Sequence, residues 1–142
     1  MSDEHKALAR RWFQEVWNQG RTAAIDELLA DQAVVHGLGP EPLRGAAGFK
    51  PFHSAYRNAF PDVTIIVDDM VAEGDKVVVR WSGAGTHLGD GPGPGLAATG
   101  RPVQFHGMTI VRIEHGKLVE GWNVFDQLGM LQQLGVVNLP LP

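Results

Sequence analysis

The chain has 142 residues, 44% hydrophobic and 20% charged, a composition that suits one globular core and not a disordered segment. Its 12 Lys and Arg face 16 Asp and Glu, and the net charge of -4 argues against a general nucleic-acid binder, which needs a positive field. The absence of Cys excludes disulfides, zinc–thiolate sites and thiol nucleophiles.

The opening stretch MSDEHKALARRW has no apolar signal core, and no apolar run approaches the roughly 18 residues of a membrane span, so a cytoplasmic location is the default expectation. From Asp3 to Gln19 apolar residues recur at helical spacing: Leu8, Trp12 and Val16 form one row, Ala9, Phe13 and Trp17 the next. Gly20 is the expected stop, and Thr22 is placed to cap a second helix through about Ala30. A third helix is expected between Gly48 and Ala59, with Pro51 in its first turn and Phe52, Tyr56 and Phe60 on one face.

After Pro61 the period changes to that of strands. Val63 to Val71 is rich in β-branched residues, Glu73-Gly74-Asp75-Lys76 is a hairpin turn, and Val77 to Trp81 follows. Gly83 to Gly100, with seven Gly and two Pro, contains a long connection. Val103 to Ile113 and Leu118 to Phe125 flank a turn at His115-Gly116, and Asp126 to Leu134 closes the chain as a helix. No repeat or linker divides residues 1–142, so a single domain is expected. Helices followed by antiparallel strands give an α+β fold, a curved sheet wrapped around the helices, which leaves room for a ligand cavity.

The string from Gly107 to Gly135 carries Arg112-Ile113, Gly116-Lys117-Leu118-Val119-Glu120, Trp122, Asp126 and Leu131-Gln132-Gln133-Leu134-Gly135. With Phe60-Pro61-Asp62 and Val79-Arg80-Trp81 upstream, it resembles the SnoaL-like polyketide cyclase or ester cyclase family. The resemblance implies a cone-shaped, nuclear transport factor 2-like (cystatin-like) α+β barrel. It also implies cofactor-free aldol ring closure of polyketide esters inside the cone. The family's general acid/base Asp in the last strand falls at Asn123, and its pocket His on the preceding strand falls at Thr109. An amide donates and accepts hydrogen bonds but does not exchange a proton at neutral pH.

Around Asn123 the register across His115-Gly116 decides the neighbours. A type I turn with a Gly bulge sets Thr109 beside Asn123, whereas a tight I′ turn sets Met108 there; the bulge groups small and polar residues and is preferred. The catalytic candidates are Asn123, to orient or polarise a carbonyl, with His87 at the rim and His36 in the cavity to move a proton. Thr109, Phe125, Tyr56, Trp12 and Arg80 are the candidate substrate-binding residues, Arg80 either paired with Asp62 or Glu120 or pointing to an anionic ligand. His5, His53 and His115 read as surface residues, and Trp81 and Trp122 as cavity walls or sheet-face packing. No metal site or cofactor is expected, since no His-x-His, His-Glu-x-x-His or carboxylate cluster occurs. The partners expected are a hydrophobic, ester- or ketone-bearing small molecule, without nucleic acid or membrane, and a second copy. The outward residues His106, Met108, Ile110, Arg112, Trp122 and Val124 are too apolar for a solvated face and predict a homodimer. The alternative to an enzyme is a non-catalytic binding or assembly module.

Overall fold

The computed structural model describes residues 2–138. Helix α1 (Ser2–Arg11) runs straight on into a π-helical stretch (Trp12–Asn18), which Gly20 ends at φ +66°. The last carbonyls of a helix lack partners within it, and here the third helix supplies them: His53 Nε2 meets the Val16 carbonyl at 2.6 Å and Arg57 donates to that of Trp17 at 3.1 Å. Helix α2 spans Thr22–Leu28, with Arg21 at its cap position and no side-chain cap bond. Thr22 is thus its first residue rather than its cap. Leu29 and Ala30, expected in that helix, open strand β1 (Leu29–His36), because Leu29 is taken up by pairing with Leu118.

The short β2 (Leu43–Arg44) pairs back onto Val35 and Val34, so α3 (Gly45–Ala59) begins earlier than the sequence suggests. Gly45, at φ +62°, makes the entry, where a Cβ would sit 2.6 Å from the Asp31 carbonyl oxygen. Pro51 therefore lies inside the helix and not in its first turn. Strands β3 (Thr64–Glu73), β4 (Lys76–Thr86), β5 (Pro102–Glu114) and β6 (Lys117–Phe125) and helix α4 (Gln127–Gln133) complete the chain. Because β4 continues to Thr86, the Gly/Pro connection starts only at His87.

The six strands form one sheet in the order β2-β1-β6-β5-β4-β3, antiparallel except for the parallel pair β1 and β6. At the β5–β6 turn, His115 (φ 52°) and Gly116 (φ 71°) are both left-handed, as a type I′ turn requires, and Glu114 faces Lys117. One step on, the register shifts: Ile113 faces Leu118 but Arg112 faces Glu120, with Val119 as the extra residue. The sequence presented the I′ turn and the bulge as alternatives, and the molecule uses both. Their combined effect is the bulge register, with Thr109 opposite Asn123.

Alternate residues of the strands face the helices, so Val77, Val79, Val103, Phe105, Val111, Ile113 and Leu118 are buried together with Ala9, Val16, Ile25, Leu28 and Phe49. Two side-chain amides finish the sheet where strands run out. Asn18 bonds both the N–H and the carbonyl of Ile65 on edge strand β3, and Gln133 of α4 does the same for Gln104 of β5. Asp62 closes the end of β4, accepting from the backbone N–H and hydroxyl of Thr86 at 2.7 and 2.8 Å; these bonds, the backbone one first, hold its carboxyl below the usual range. Among the described residues no helix is long and apolar enough to cross a membrane.

Candidate functional site

Where the concave sheet turns away from α1, its π-helical extension and α3, a cavity of about 80 Å³ remains. Trp12, Phe13, Phe52 and Tyr56 wall it from the helices, and Trp81, Thr109, Gly121, Asn123 and Phe125 from the sheet. Phe13, Phe52 and Phe125 line this space without filling it. Gly121 explains part of the opening. Glycine weakens a strand, yet here it faces inward, and a Cβ added to it would meet nothing nearer than the Ile110 carbonyl oxygen at 3.8 Å. Gly107, on the neighbouring strand, is the opposite case, because a Cβ there would press on the Val124 carbonyl oxygen at 2.5 Å and on Trp81 and Phe125 at 2.7 Å.

The polar part of the wall is one directed chain of hydrogen bonds. Trp81 Nε1 donates to the Thr109 hydroxyl at 3.1 Å, the hydroxyl donates to Asn123 Oδ1 at 2.9 Å, and Asn123 Nδ2 donates to the His36 carbonyl at 3.0 Å. Its direction is set at the first link, because an indole N–H can only donate. Asn123 keeps one N–H and one lone pair beyond these bonds. It also ties β6 to the end of β1, where the backbones come so close that a Cβ on Gly37 would lie 2.0 Å from the Asn123 carbonyl oxygen. Tyr56, on α3, lines the same cavity, its ring centre 6.1 Å from that of Phe125. Burial raises its phenol above the ordinary value, and a bond with the Gln127 side chain offsets part of that rise.

Thr109, Asn123, Phe125, Tyr56 and Trp12 are thus brought together as the sequence anticipates, and three other candidates are not. His87 is fully buried behind the rim. The Thr99 N–H donates to its Nδ1 at 3.1 Å and its Nε2 donates to the Gly91 carbonyl at 2.5 Å, so it fastens the Gly/Pro connection from beneath. His36 falls on the outer sheet face because Val35 takes the inward position of β1. There it stacks on Trp122 with ring centres 5.7 Å apart and bonds Glu120 Oε2 at 2.8 Å. Arg112 binds the other oxygen of Glu120 at 3.2 Å, and His36 first, then Arg112, hold this carboxyl below its ordinary range. Arg80 also points outward, between inward Val79 and Trp81; it is exposed, with Asp68 at 3.9 Å as its partner rather than Asp62, Glu120 or a ligand.

The two strand tryptophans divide the same way, Trp81 on the cavity and Trp122 on the outer face. His53, expected at the surface, is 2% exposed, and burial before all else lowers its pKa. The signal for it lay in Phe49-x-x-x-His53, which puts the imidazole on the inward stripe of α3. Trp81 as the donor that orders the chain, and Gly121 as the source of space, were missed. An isolated glycine within a strand was the one available cue to the latter.

The model of the SnoaL-like polyketide cyclase family matches residues 7–134. Among solved structures, AclR of Streptomyces galilaeus, a proposed hydroxylase, is 27% identical, with a TM-score of 0.85 over 97% of this chain and 100% of that one. IdmH of Streptomyces antibioticus, a proposed polyketide cyclase, is 31% identical, with a TM-score of 0.79 over 93% and 99%. A Catenulispora acidiphila protein with a ketosteroid isomerase-like fold, 16% identical, superposes with a TM-score of 0.75 over 94% and 97% and speaks for the fold alone. No curated protein matches the chain.

Proposed function

Because the chain belongs to the SnoaL-like polyketide cyclase family, we propose that its cavity takes a polyketide-like ketone or ester and assists an aldol-type ring closure in it without a cofactor. The observation that carries this reading is the Asn123 amide, which lines the cavity with hydrogen-bonding capacity left over. In an apolar space an N–H offered to a carbonyl oxygen stabilises developing charge more than it does in water. Ring closure forms one C–C bond: an α-carbon loses a proton and attacks a ketone carbon, whose oxygen gains a proton. The cone contributes the folded, close approach of the two carbons, Asn123 polarises the ketone, and water takes the α-proton. Turnover of a linear polyketide ester, followed by product analysis, tests this. Asn123→Leu should cut the rate by about 10²-fold, and an unchanged rate would remove Asn123 from the chemistry.

A second reading, a binding module without turnover, is favoured by one specific observation. Among the described residues neither an imidazole nor an unpaired carboxylate lines the cavity, since the Glu120 oxygens are held by His36 and Arg112. It predicts ligand binding with no product.

For assembly, we propose a homodimer through the outer sheet face. The register lines up Val71, Val78, Ile110 and Trp122 across four strands, with Met108 and Val124 in the next row at 50% and 76% exposure. Sedimentation of Met108→Lys should report a monomer where the parent chain is a dimer, and a monomeric parent at micromolar concentration would end this proposal.

A further inference from the structure

Outside the inner cavity, between α3, α4 and the Gly/Pro connection, lies a second depression of about 300 Å³. Leu38, Phe52 and Tyr56 belong to the walls of both spaces, so the two are separated by the thickness of these side chains alone. The outer space is completed by Pro92 and Leu96 from the connection and Met130 from α4. His87 fastens that connection through Gly91 and Thr99, and Asp126 caps α4 through the Gly129 N–H at 2.9 Å, so both outer walls are anchored.

The inner cavity of about 80 Å³ falls short of the roughly 300–1,000 Å³ that encloses a ligand of several rings. The outer depression of about 300 Å³ is at the lower end of that range but lacks Asn123, so a ligand of that size that meets Asn123 spans both. The charge pattern is equally restrictive. Among the described residues no Lys, Arg, His or Asp lines either space, and the single charged residue, Glu120, has both carboxylate oxygens bonded to His36 and Arg112. A carboxylate or sulfonate in such surroundings would be desolvated without a partner.

We propose that the two spaces are the inner and outer halves of one ligand site, that the Tyr56 side chain is the movable partition between them, and that the site takes an elongated, uncharged, mostly apolar molecule. This deepens the small-molecule reading above and rests on it. Tyr56 is held in place by ring contacts with Phe52 and Phe125, centres 4.7 and 6.1 Å away, and it shares the outer wall with Gln127 at the start of α4. A ligand that occupies both halves at once has to displace this ring. Tyr56 then sets how long a molecule the site accepts and how fast it enters.

Fluorescence titration with three probes tests this: naphthalene (short, neutral), N-phenyl-1-naphthylamine (elongated, neutral) and 1-anilinonaphthalene-8-sulfonate (the same elongated frame with a charge). The parent chain should bind the neutral elongated probe at least about tenfold more tightly than its sulfonate. Leu96→Trp, on an exposed connection, fills the outer half. It should weaken the elongated neutral probe by about tenfold while leaving naphthalene within about twofold. Gly121→Leu fills the inner half, where a side chain has room, and should weaken both neutral probes. Tyr56→Ala removes the ring between the two halves, and should speed association of the elongated probe by about fivefold. If Gly121→Leu weakens naphthalene but Leu96→Trp leaves the elongated probe untouched, the joined site is wrong and the inner-cavity reading stands. Indifference of both probes to Gly121→Leu, or binding of neither to the parent chain, overturns that reading as well. Equal affinity for the sulfonate overturns the uncharged class, and an unchanged association rate in Tyr56→Ala overturns the partition.

Discussion

Replacing Asn123 by Asp swaps an amide for the carboxyl that related cyclases carry there, and the direction of the hydrogen-bond chain determines how that carboxyl titrates. Thr109 would still donate to one carboxyl oxygen, as it does to Asn123 Oδ1 at 2.9 Å. The other oxygen would face the His36 carbonyl, which now receives an N–H at 3.0 Å. Ionised, the new side chain presents acceptor to acceptor; protonated, its O–H restores the donor. Losing such a bond at a buried acceptor costs about 1–3 kcal/mol, equivalent to about one to two pKa units at 1.36 kcal/mol each. The folded-state pKa should therefore rise from about 3.9 to about 5–6. With a raised folded pKa, the carboxyl's contribution is intact below the unfolded value and is lost as pH rises through the folded one. Urea unfolding should show N123D within about 1 kcal/mol of the parent at pH 4, and about 1–3 kcal/mol below it at pH 8. A deficit that is equal at both pH values, or larger in acid, would refute the assigned direction of the chain.

The same geometry sets three further outcomes. Gly107→Ala should cost about 2 kcal/mol or more from overpacking against Trp81, Phe125 and the Val124 carbonyl, whereas Gly121→Ala should lie within about 0.5 kcal/mol of the parent, both read by urea unfolding. Burial lowers the pKa of His53 below 6.5, so the fold loses stability as pH falls through that value, by up to about 1.4 kcal/mol per pH unit until the folded pKa is reached. His53→Gln, which keeps a donor for Val16, should flatten this acid limb in pH-dependent thermal denaturation. His36→Ala removes an imidazole from the outer face and should leave binding of N-phenyl-1-naphthylamine within about twofold, a larger loss placing His36 at the site after all.

The strands were legible because β-branched residues crowd the chain from Val63 onward between turn signals, and the register of Asn123 against Thr109 followed from grouping small and polar residues. Helix ends were less so. Leu29 owes its conformation to pairing with Leu118 far along the chain and Arg44 to pairing back onto Val34, neither of which local propensity reports. The apolar and amide part of the site could be read because those positions alternate with outward ones along β5 and β6. The histidines could not. His36 and His87 are flanked by residues compatible with either face, and their positions are decided by a parallel pairing and by the path of a glycine-rich connection. Arg80 was ambiguous only while the partner strand was unknown, since Asp68 comes within reach through the register shift between Val67 and Asp69.

The parallel pairing of β1 with β6 has a consequence in time. Strands β3 to β6 form a meander whose neighbours are joined by short turns or one connection, so they close small loops. By contrast, β1 finds β6 only after nearly the whole chain has been gathered, with His36 opposite Trp122. Contacts between distant residues form late because the entropy of closing their loop must be met before they contribute. By that argument the meander is expected to form first and the N-terminal helices with β1 to dock onto it later. Stopped-flow folding of Asn123→Ala would check this order through an unchanged folding rate and a faster unfolding rate. Since the Asn123–His36 bond crosses that seam, the cavity wall is expected to be completed late. The side of the cone expected to reopen first under stress is the side that carries Asn123.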